Sequence, residues 1–375
     1  MKSPGTGATL PKRIGVNALY LIPGGVGGTE TYLRALLAAL AEIDPVNLYF
    51  IFTNRETGSD LVPKAANFTH VPQSVRAVNR ARRLLWEQTR LPLEAARLKL
   101  DVLLNPGFTA PILCGCPQVT VFHDLQHKRH PENFRRFDLP AWEFFLYGSA
   151  RVSRIVLADS EATAADLRQF YRIPERRLRV VPLGVAADFF ELAARRKPEP
   201  FLLAVSTLHP HKNLDGLLRA FAEFRRFRPG FTLVVCGLHG FFTAELHALR
   251  ETLGLADSVT FPGWIPRPEL LDLYARAAAF LYPSKFEGFG LPVLEALAAG
   301  VPTACSSVEP LASLAADAAL QFDPADPLAI AAAMERLVSD DPLRSRLSAA
   351  GPRRAAQFPW RNTARLTLDA LCSAL

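Results

Sequence analysis

Short apolar runs alternate with amphipathic stretches along nearly the whole chain. Runs of three to five mostly apolar residues, the length of buried strands, recur in both halves. They predict strands at residues 14–18, 48–52, 102–104, 119–122, 154–158, 201–205, 233–236, 259–261, 279–282, 302–305 and 320–322. Between them apolar residues recur at helical spacing, for example in residues 29–41 and 360–373. Strands that alternate with helices predict parallel sheets covered by helices on both faces.

The alternation runs twice, once in each half of the chain, and a length of 375 residues also favours two domains. Between the two series, V-V-P-L-G-V leads into the charged, proline-containing stretch A-R-R-K-P-E-P. We therefore predict an α/β protein with two Rossmann-like domains, residues 1–185 and residues 186–357. Their parallel sheets are expected to face each other across a cleft.

Composition narrows the compartment in which the chain works. No apolar run approaches the length of a membrane span, and residues 1–13 lack the apolar stretch of a secretory signal. The five cysteines are dispersed, which is typical of reduced thiols and does not match the spacing of a zinc site. We therefore expect a cytoplasmic protein.

The positive charge is concentrated in the first half of the chain. Residues 1–185 carry 24 Lys and Arg against 16 Asp and Glu, whereas the remaining residues carry 19 against 20. Arginines and apolar side chains are interleaved in residues 76–90, and such a segment can lie on the anionic inner face of a cell membrane. A helix packed on the core, with its arginines in solvent, is the alternative. No nucleic-acid-binding motif accompanies the charge, so nucleic acid is not an expected partner.

Residues 284–302 read S-K-F-E-G-F-G-L-P-V-L-E-A-L-A-A-G-V-P and are the most informative segment. The pattern predicts a buried strand, a Gly-rich turn that carries Glu287, and a helix that carries Glu295. Unpaired N–H groups at a helix start bind phosphate well. Carboxylates on either side can accept hydrogen bonds from hydroxyl groups, and a nucleotide sugar has hydroxyls on both sides of its phosphates. An ordinary βα unit with solvated glutamates is the alternative.

This segment resembles the E-x7-E signature of the retaining glycosyltransferases of family 4, which have the GT-B fold. The resemblance extends from Gly24 to Trp360 and implies transfer of a sugar, with retention, from a nucleotide-diphosphate sugar to a hydroxyl acceptor. The first domain would then face the acceptor, the second would bind the donor, and a last helix within residues 358–375 would pack back on the first domain. Glu287 would bind sugar hydroxyls and Glu295 the ribose.

His123 follows a predicted strand in V-F-H-D-L and matches a histidine at the family's reaction centre. The resemblance implies that it hydrogen-bonds the transferred sugar or positions the acceptor, with Asp124 orienting the imidazole. His127 and His130 follow closely, and we expect both at the surface.

Lys212, in L-H-P-H-K-N, is expected to neutralise the donor diphosphate and to stabilise the leaving group. The backbone of Phe289, Gly290 and Leu291 would share this role. His211 stands where the family usually has arginine. Because histidine is only partly protonated at neutral pH, we expect a weaker phosphate clamp.

The loop G-G-V-G-G, residues 24–28, follows the first predicted strand and opens a helix, so it can approach a diphosphate closely. The resemblance implies that Gly27 and Gly28 face the donor phosphates and the acceptor. The spacing of the glycines does not fit a dinucleotide fingerprint, which disfavours an NAD-dependent enzyme. Trp264, in P-G-W, is expected beside the nucleobase, with plain packing as an equal alternative. Residues 309–317 depart from the family pattern, and we assign them no role.

The chain contains no D-x-D triplet, the usual means of holding a cation on a donor diphosphate. We therefore expect no metal and no cofactor besides the donor. The segments H-D-L-Q-H and L-H-P-H-K-N resemble mannosyltransferases of surface polysaccharide assembly, which favours GDP-mannose, leaves UDP-sugars open, and suggests a glycan or lipid-linked acceptor. A nucleotide-sugar epimerase or hydrolase of the same fold, and a non-catalytic nucleotide-binding scaffold, are the alternatives.

Overall fold

A computed structural model of the chain describes residues 10–134 and 139–375. Residues 1–9, which make up most of the segment examined for a secretory signal, lie outside the described residues. The first sheet has seven parallel strands in the order β3-β2-β1-β4-β5-β6-β7. Its strands are β1 (Arg13–Asn17), β2 (Leu48–Thr53), β3 (Phe68–Pro72), β4 (Val102–Asn105), β5 (Gln118–Phe122), β6 (Ile155–Ala158) and β7 (Leu178–Val180).

Five helices connect these strands within the described residues. They are α1 (Gly28–Ile43), α2 (Arg80–Arg97), α3 (Gln126–Arg129), α4 (Leu139–Val152) and α5 (Glu161–Tyr171). On α1 the buried residues Leu33, Leu36, Leu37 and Leu40 recur at helical spacing, so one face of the helix packs on the sheet. Ser160 caps the start of α5, because its hydroxyl accepts a hydrogen bond from the Thr163 N–H.

The second sheet has six parallel strands in the order β10-β9-β8-β11-β12-β13. These are β8 (Glu199–Val205), β9 (Thr232–Cys236), β10 (Val259–Gly263), β11 (Ala277–Tyr282), β12 (Thr303–Ser306) and β13 (Leu320–Phe322). The accompanying helices are α6 (Ala187–Leu192), α7 (Leu214–Phe227), α8 (Thr243–Thr252), α9 (Arg267–Arg276), α10 (Leu291–Ala298), α11 (Leu311–Ala315), α12 (Pro327–Ser339), α13 (Asp341–Ala355) and α14 (Trp360–Ser373).

Every strand predicted from the apolar runs overlaps a strand of the structure, and the prediction of two parallel α/β sheets is confirmed. Two strands, β3 and β7, were missed. Both lie at the edges of the first sheet and have only one buried residue each. An edge strand that is half exposed lacks the apolar run on which the prediction rested.

The chain crosses between the two sheets twice, and the two crossings lie side by side. The backbone N–H of Val185 donates to the carbonyl of Phe358, and the hydroxyl of Thr363 donates to the carbonyl of Pro182 at 2.7 Å. Beyond the second crossing α14 packs against α1 of the first half. The boundary at residue 185 stays a prediction, since the first sheet ends at Val180 and the second begins at Glu199.

Helix α2 contains most of the basic segment and has two distinct faces. Leu84, Leu91 and Ala95 are buried, and the last two pack in one cluster with Leu103 of the first sheet, whereas Leu85 and Leu93 are more than 60% exposed. Among the described residues, no helix combines the length and the apolar character needed to span a bilayer.

Candidate active site

A cavity of about 440 Å³ lies between the carboxyl ends of the two sheets. In parallel α/β sheets the ligand site lies at this edge, because all strands end there and the loops that follow them come together. All eleven residues that the sequence assigned to the site line this cavity. They are Gly27, Gly28, His123, His211, Lys212, Trp264, Glu287, Phe289, Gly290, Leu291 and Glu295. The geometry therefore brings the predicted set together, while the role of each residue stays a prediction.

The strand, turn and helix predicted for residues 284–302 are present. Strand β11 ends at Tyr282, the turn follows, and α10 begins at Leu291. Gly290 caps the helix with a φ of 112°, a conformation that favours glycine. A Cβ at this position would also lie only 2.4 Å from a side-chain carbon of Leu311. The turn is therefore fixed both by backbone conformation and by packing from α11.

Lys212 and Glu287 form an ion pair inside the cavity. Nζ of Lys212 lies 2.6 Å from Oε1 of Glu287, and the two side chains are only 14% and 9% exposed. Asn213, next to Lys212, donates from its side-chain amide to the carbonyls of Pro283 and Pro324. These bonds tie the loop that carries the lysine to the end of β11. A cation and a carboxylate are thus held together before any donor is bound.

His211 is a neutral side chain in this structure. Burial, helped by the charge of Lys212, lowers the pKa of His211 to about 2. Its Nδ1 accepts a hydrogen bond from the side-chain amide of Gln126, at 2.6 Å, and this bond joins the two halves of the chain. The histidine that stands where the family has arginine therefore contributes no fixed positive charge to the cavity.

Glu295 projects from α10 into the same cavity. Burial raises its pKa to about 7, although the hydrogen bond from Tyr274 and the charge of Arg267 oppose this rise. The Tyr274 hydroxyl donates to Oε2 of Glu295 at 3.1 Å. The carboxyl group is therefore close to half ionised at neutral pH. A ligand that donates hydrogen bonds to it will favour the ionised form.

His123 lies at the end of β5, but Asp124 does not orient it, and that expectation was wrong. Nδ1 of His123 donates to the carboxylate of Asp159 at 2.7 Å, and Nε2 donates to the carbonyl of Pro106 at 2.9 Å. Asp124 instead accepts from the backbone N–H of Gln126. The reason is positional, because Asp159 follows the neighbouring strand β6 and so ends at the same edge as His123.

Both ring nitrogens of His123 face acceptor oxygens, so both are placed to donate. Burial alone would lower the pKa of His123, but the charge and hydrogen bond of Asp159 and the carbonyl of Pro106 outweigh it, and the pKa is raised. The surroundings therefore favour the imidazolium form of the side chain. Neither ring nitrogen faces the cavity free of a protein partner.

Trp264 lines both this cavity and a second one of about 470 Å³ near the crossings of the chain. Its side chain is 59% exposed, and it lies 3.9 Å from the position that a Cβ on Gly24 would occupy across the cleft. The sequence left Trp264 either beside the nucleobase or in plain packing. Its exposure shows that it does not pack into the core. The exposed ring remains available to a ligand in the cavity.

Comparison with known proteins defines the family. The family described as Glycosyltransferase Family 4 matches residues 26–189, and the one described as Glycosyl transferases group 1 matches residues 187–354. The O-antigen chain mannosyltransferase B of Escherichia coli is 31% identical over 367 residues, which cover 92% of this chain and 95% of that protein. The chain belongs to the group 1 and family 4 glycosyltransferases.

Other relatives of this glycosyltransferase differ in what their names say they act on. The D-inositol 3-phosphate glycosyltransferase of Acidothermus cellulolyticus is 30% identical, with 97% of this chain and 91% of that protein covered. Among solved structures, HepE of Anabaena in complex with UDP and glucose superposes with a TM-score of 0.73 at 18% identity, covering 96% of this chain and 100% of that one. The GT-B fold predicted from the sequence is thereby confirmed.

Some features of the glycosyltransferase were not predicted. Asp159 and Pro106, the partners of His123, were missed, although Asp159 follows a strand that the sequence did predict. The expectation that His127 lies at the surface was wrong, because it is buried and its Nε2 lies 2.7 Å from the Tyr171 hydroxyl. Within residues 10–134 and 139–375, no group of three or more His, Cys, Asp or Glu side chains is arranged to hold a metal ion.

Proposed function

We propose that this glycosyltransferase moves a mannosyl group from GDP-mannose to a hydroxyl group of a glycan or lipid-linked acceptor, with retention at the anomeric carbon. The ion pair of Lys212 and Glu287, buried in the cavity that Glu295 also lines, carries the proposal. A cation for a diphosphate, a carboxylate for sugar hydroxyls and a second carboxylate for a ribose match the successive groups of a nucleotide sugar.

Lys212 and the backbone N–H groups of residues 289–291 would stabilise the leaving diphosphate. The bond between the anomeric carbon and the donor phosphate oxygen breaks, and its electron pair leaves with the phosphate. The acceptor oxygen forms the new bond on the same face of the sugar, and its proton passes to the departing phosphate oxygen. The bonds of His123 support this route, since both of its ring nitrogens already have acceptor partners in Asp159 and Pro106 and neither is free to act as the base.

The choice of mannose rests on the Escherichia coli relative, whose name states a mannosyltransferase. The UDP in the HepE complex keeps uridine donors as the main alternative. Thermal unfolding in the presence of GDP, UDP and ADP would separate them, because a ligand at 100 times its Kd stabilises a protein by about 2.7 kcal/mol. We expect the largest rise in melting temperature with GDP, and a larger rise with UDP would overturn the choice.

We propose further that transfer requires neither a metal nor another cofactor. The absence of a D-x-D triplet and the position of Lys212 beside the start of α10 support this view. Turnover should be the same in excess EDTA and in excess Mg²⁺. A rate that falls at least tenfold in EDTA and returns with Mg²⁺ would contradict it.

The direct test of the site is transfer of labelled mannose by single variants. Lys212→Ala and Glu287→Ala should each lower kcat/KM by about 100-fold or more, in line with the loss of a charge that stabilises a leaving group. Lys285→Ala, at an exposed lysine on the same loop, is the matched control and should keep the wild-type rate. If both site variants turned over donor normally, the assignment would be wrong.

The same assay distinguishes the alternative functions. Product formed from donor without acceptor would indicate a hydrolase or an epimerase. Nucleotide binding without turnover of any donor would indicate a non-catalytic scaffold. The anomeric proton couplings of the purified product, measured by NMR, would report retention or inversion directly.

The exposed face of α2 also suggests contact with an anionic membrane at the inner face of the cell. Leu85 and Leu93 project into solvent beside the exposed arginines Arg82 and Arg90. Apolar side chains flanked by cations are typical of helices that lie in a lipid surface. Such contact would bring the enzyme to a lipid-linked acceptor.

Co-sedimentation with phosphatidylglycerol vesicles would test the membrane contact. A Leu85→Ser/Leu93→Ser variant should bind at least tenfold less than wild type. Phe227→Ser, which changes an equally exposed apolar residue on the second half, is the control and should bind normally. Equal binding of all three proteins would exclude α2 as the contact.

A further inference from the structure

Behind the turn that carries Glu287, the two halves of the molecule touch through backbone atoms. Gly288 lies directly against the carbonyl of His123, and a Cβ built on Gly288 would come within 1.7 Å of that oxygen. Non-bonded atoms never come that close, so no residue other than glycine allows this contact. The φ of Gly288 lies outside the left-handed range, so its backbone conformation would accept alanine. Glycine is needed here for the approach of the other half.

Thr163 of α5 stands beside this contact. Its hydroxyl oxygen lies 3.3 Å from the carbonyl of His123 and 3.3 Å from the carbonyl of Gly288. The side chain is 2% exposed, so its hydroxyl cannot turn to solvent. One hydroxyl proton is therefore shared between a carbonyl of the first half and a carbonyl of the second. Such a bridge can form only when Gly288 of the second half lies against His123 of the first half.

We propose that Gly288 and Thr163 are positioning residues that set the distance between Glu287 and the His123 end of the cleft when the two halves meet. The inference rests on the proposed function, in which Glu287 binds the transferred sugar. Glu287 immediately precedes Gly288, so any displacement of Gly288 from the His123 carbonyl moves that carboxylate as well. A shift of about 1 Å at a reacting centre can cost about 100-fold in rate.

The proposal separates binding from transfer. The side chains proposed to hold the diphosphate and the ribose, Lys212 and Glu295, lie in the second half, and Thr163 does not line the cavity, so these nucleotide contacts do not depend on Thr163. Transfer needs the acceptor side, which the first half supplies. Loss of the contact should therefore lower kcat and leave the affinity for nucleotide nearly unchanged.

Two variants and two controls test this separation. Gly288→Ala should lower kcat by about 100-fold, with the Kd for GDP, measured by calorimetry, within threefold of wild type. Gly115→Ala is the matched control, because a Cβ there meets no atom within 4 Å, and it should retain the wild-type kcat. Thr163→Val, which keeps the shape and removes the hydroxyl, should lower kcat by about tenfold, and Thr163→Ser should restore most of it.

A measurement of the radius of gyration makes the test specific. In the presence of GDP, small-angle scattering should give a larger radius of gyration for Gly288→Ala than for wild type, because the added methyl group keeps the halves apart. Thermal unfolding checks that the variant is folded. Wild-type kcat in Gly288→Ala, or equal losses of GDP affinity and kcat, would overturn the proposal. Absence of transfer by the wild-type protein would instead refute the proposed function.

Discussion

Replacing Glu295 by glutamine should raise the free energy of unfolding of the protein at alkaline pH, measured without nucleotide. Burial raises the pKa of this carboxyl from 4.5 to about 7, although Tyr274 and Arg267 oppose the rise. Because the folded pKa is above the unfolded one, the folded protein binds more protons between these values. The free energy of unfolding therefore falls as pH rises from about 4.5 to about 7. Glutamine has no charge to bury and removes this loss.

The size of the effect follows from the same values. At about 1.4 kcal/mol for each unit of pKa, a rise from 4.5 to about 7 amounts to roughly 3 kcal/mol. Glu295 lies on the wall of the cavity and is not sealed from solvent, so screening by water will reduce this figure. We expect Glu295→Gln to be more stable than wild type by about 1–3 kcal/mol at pH 8.

Urea unfolding at pH 5 and pH 8 measures this difference. At pH 5 the folded wild-type carboxyl is still protonated and only the first part of this loss has occurred, so the two proteins should differ by about 1 kcal/mol or less. Glu42→Gln, at an exposed position, is the control, and its free energy of unfolding should follow that of the wild type at both pH values. A stability difference that is the same at both pH values would refute the reasoning, since it would mean that folding does not oppose ionisation of Glu295.

Three further outcomes are expected. GDP affinity should rise about tenfold from pH 6 to pH 8, because ribose hydroxyls favour ionised Glu295. The analogue 2′,3′-dideoxy-GDP, which lacks these hydroxyls, should not show this rise. An equal pH dependence of the Kd for both nucleotides would contradict the prediction. Trp264→Ala should weaken GDP binding by about 1–2 kcal/mol if the base stacks on the ring, with Trp264→Phe intermediate; unchanged affinity would exclude stacking. Lys212→Met should lower the free energy of unfolding by about 2 kcal/mol or more, because Glu287 is then buried without its partner. The double variant Lys212→Met/Glu287→Gln should recover most of this loss. If urea unfolding shows no recovery, the two residues are not coupled.

The fold was predictable because buried parallel strands read as apolar runs. Every predicted strand was found, and the two that were missed, β3 and β7, are edge strands whose half-exposed residues give no such run. The limits of α14 were also predicted from helical spacing. Its packing on α1 came only from the resemblance, because the pattern of one helix does not say which partner it will meet.

The residues of the site could be predicted from the sequence, but the hydrogen bonds that hold them could be predicted less well. Strand ends of a parallel sheet converge on one edge, so residues that follow strands, such as His123 and Lys212, had to meet in the cleft. Which carboxylate reaches the His123 ring depends on strand order, and Asp159 on the adjacent strand is better placed than Asp124 on the same one. The contact of Gly288 likewise depends on how the two halves meet, which no local pattern encodes.

The polar groups of the cavity that are expected to hold the donor have partners within the protein. Lys212 is paired with Glu287, Glu295 with Tyr274, and His123 with Asp159. A buried charge without a partner costs several kcal/mol, so this pairing keeps the protein stable when no donor is bound. Donor binding must then exchange partners: phosphate for Glu287 at the lysine, and ribose or sugar hydroxyls at the two glutamates. Because each exchange nearly conserves the number of ionic bonds, we infer that the selectivity among nucleotide sugars comes from how well the donor hydroxyls replace the internal partners, more than from its total charge.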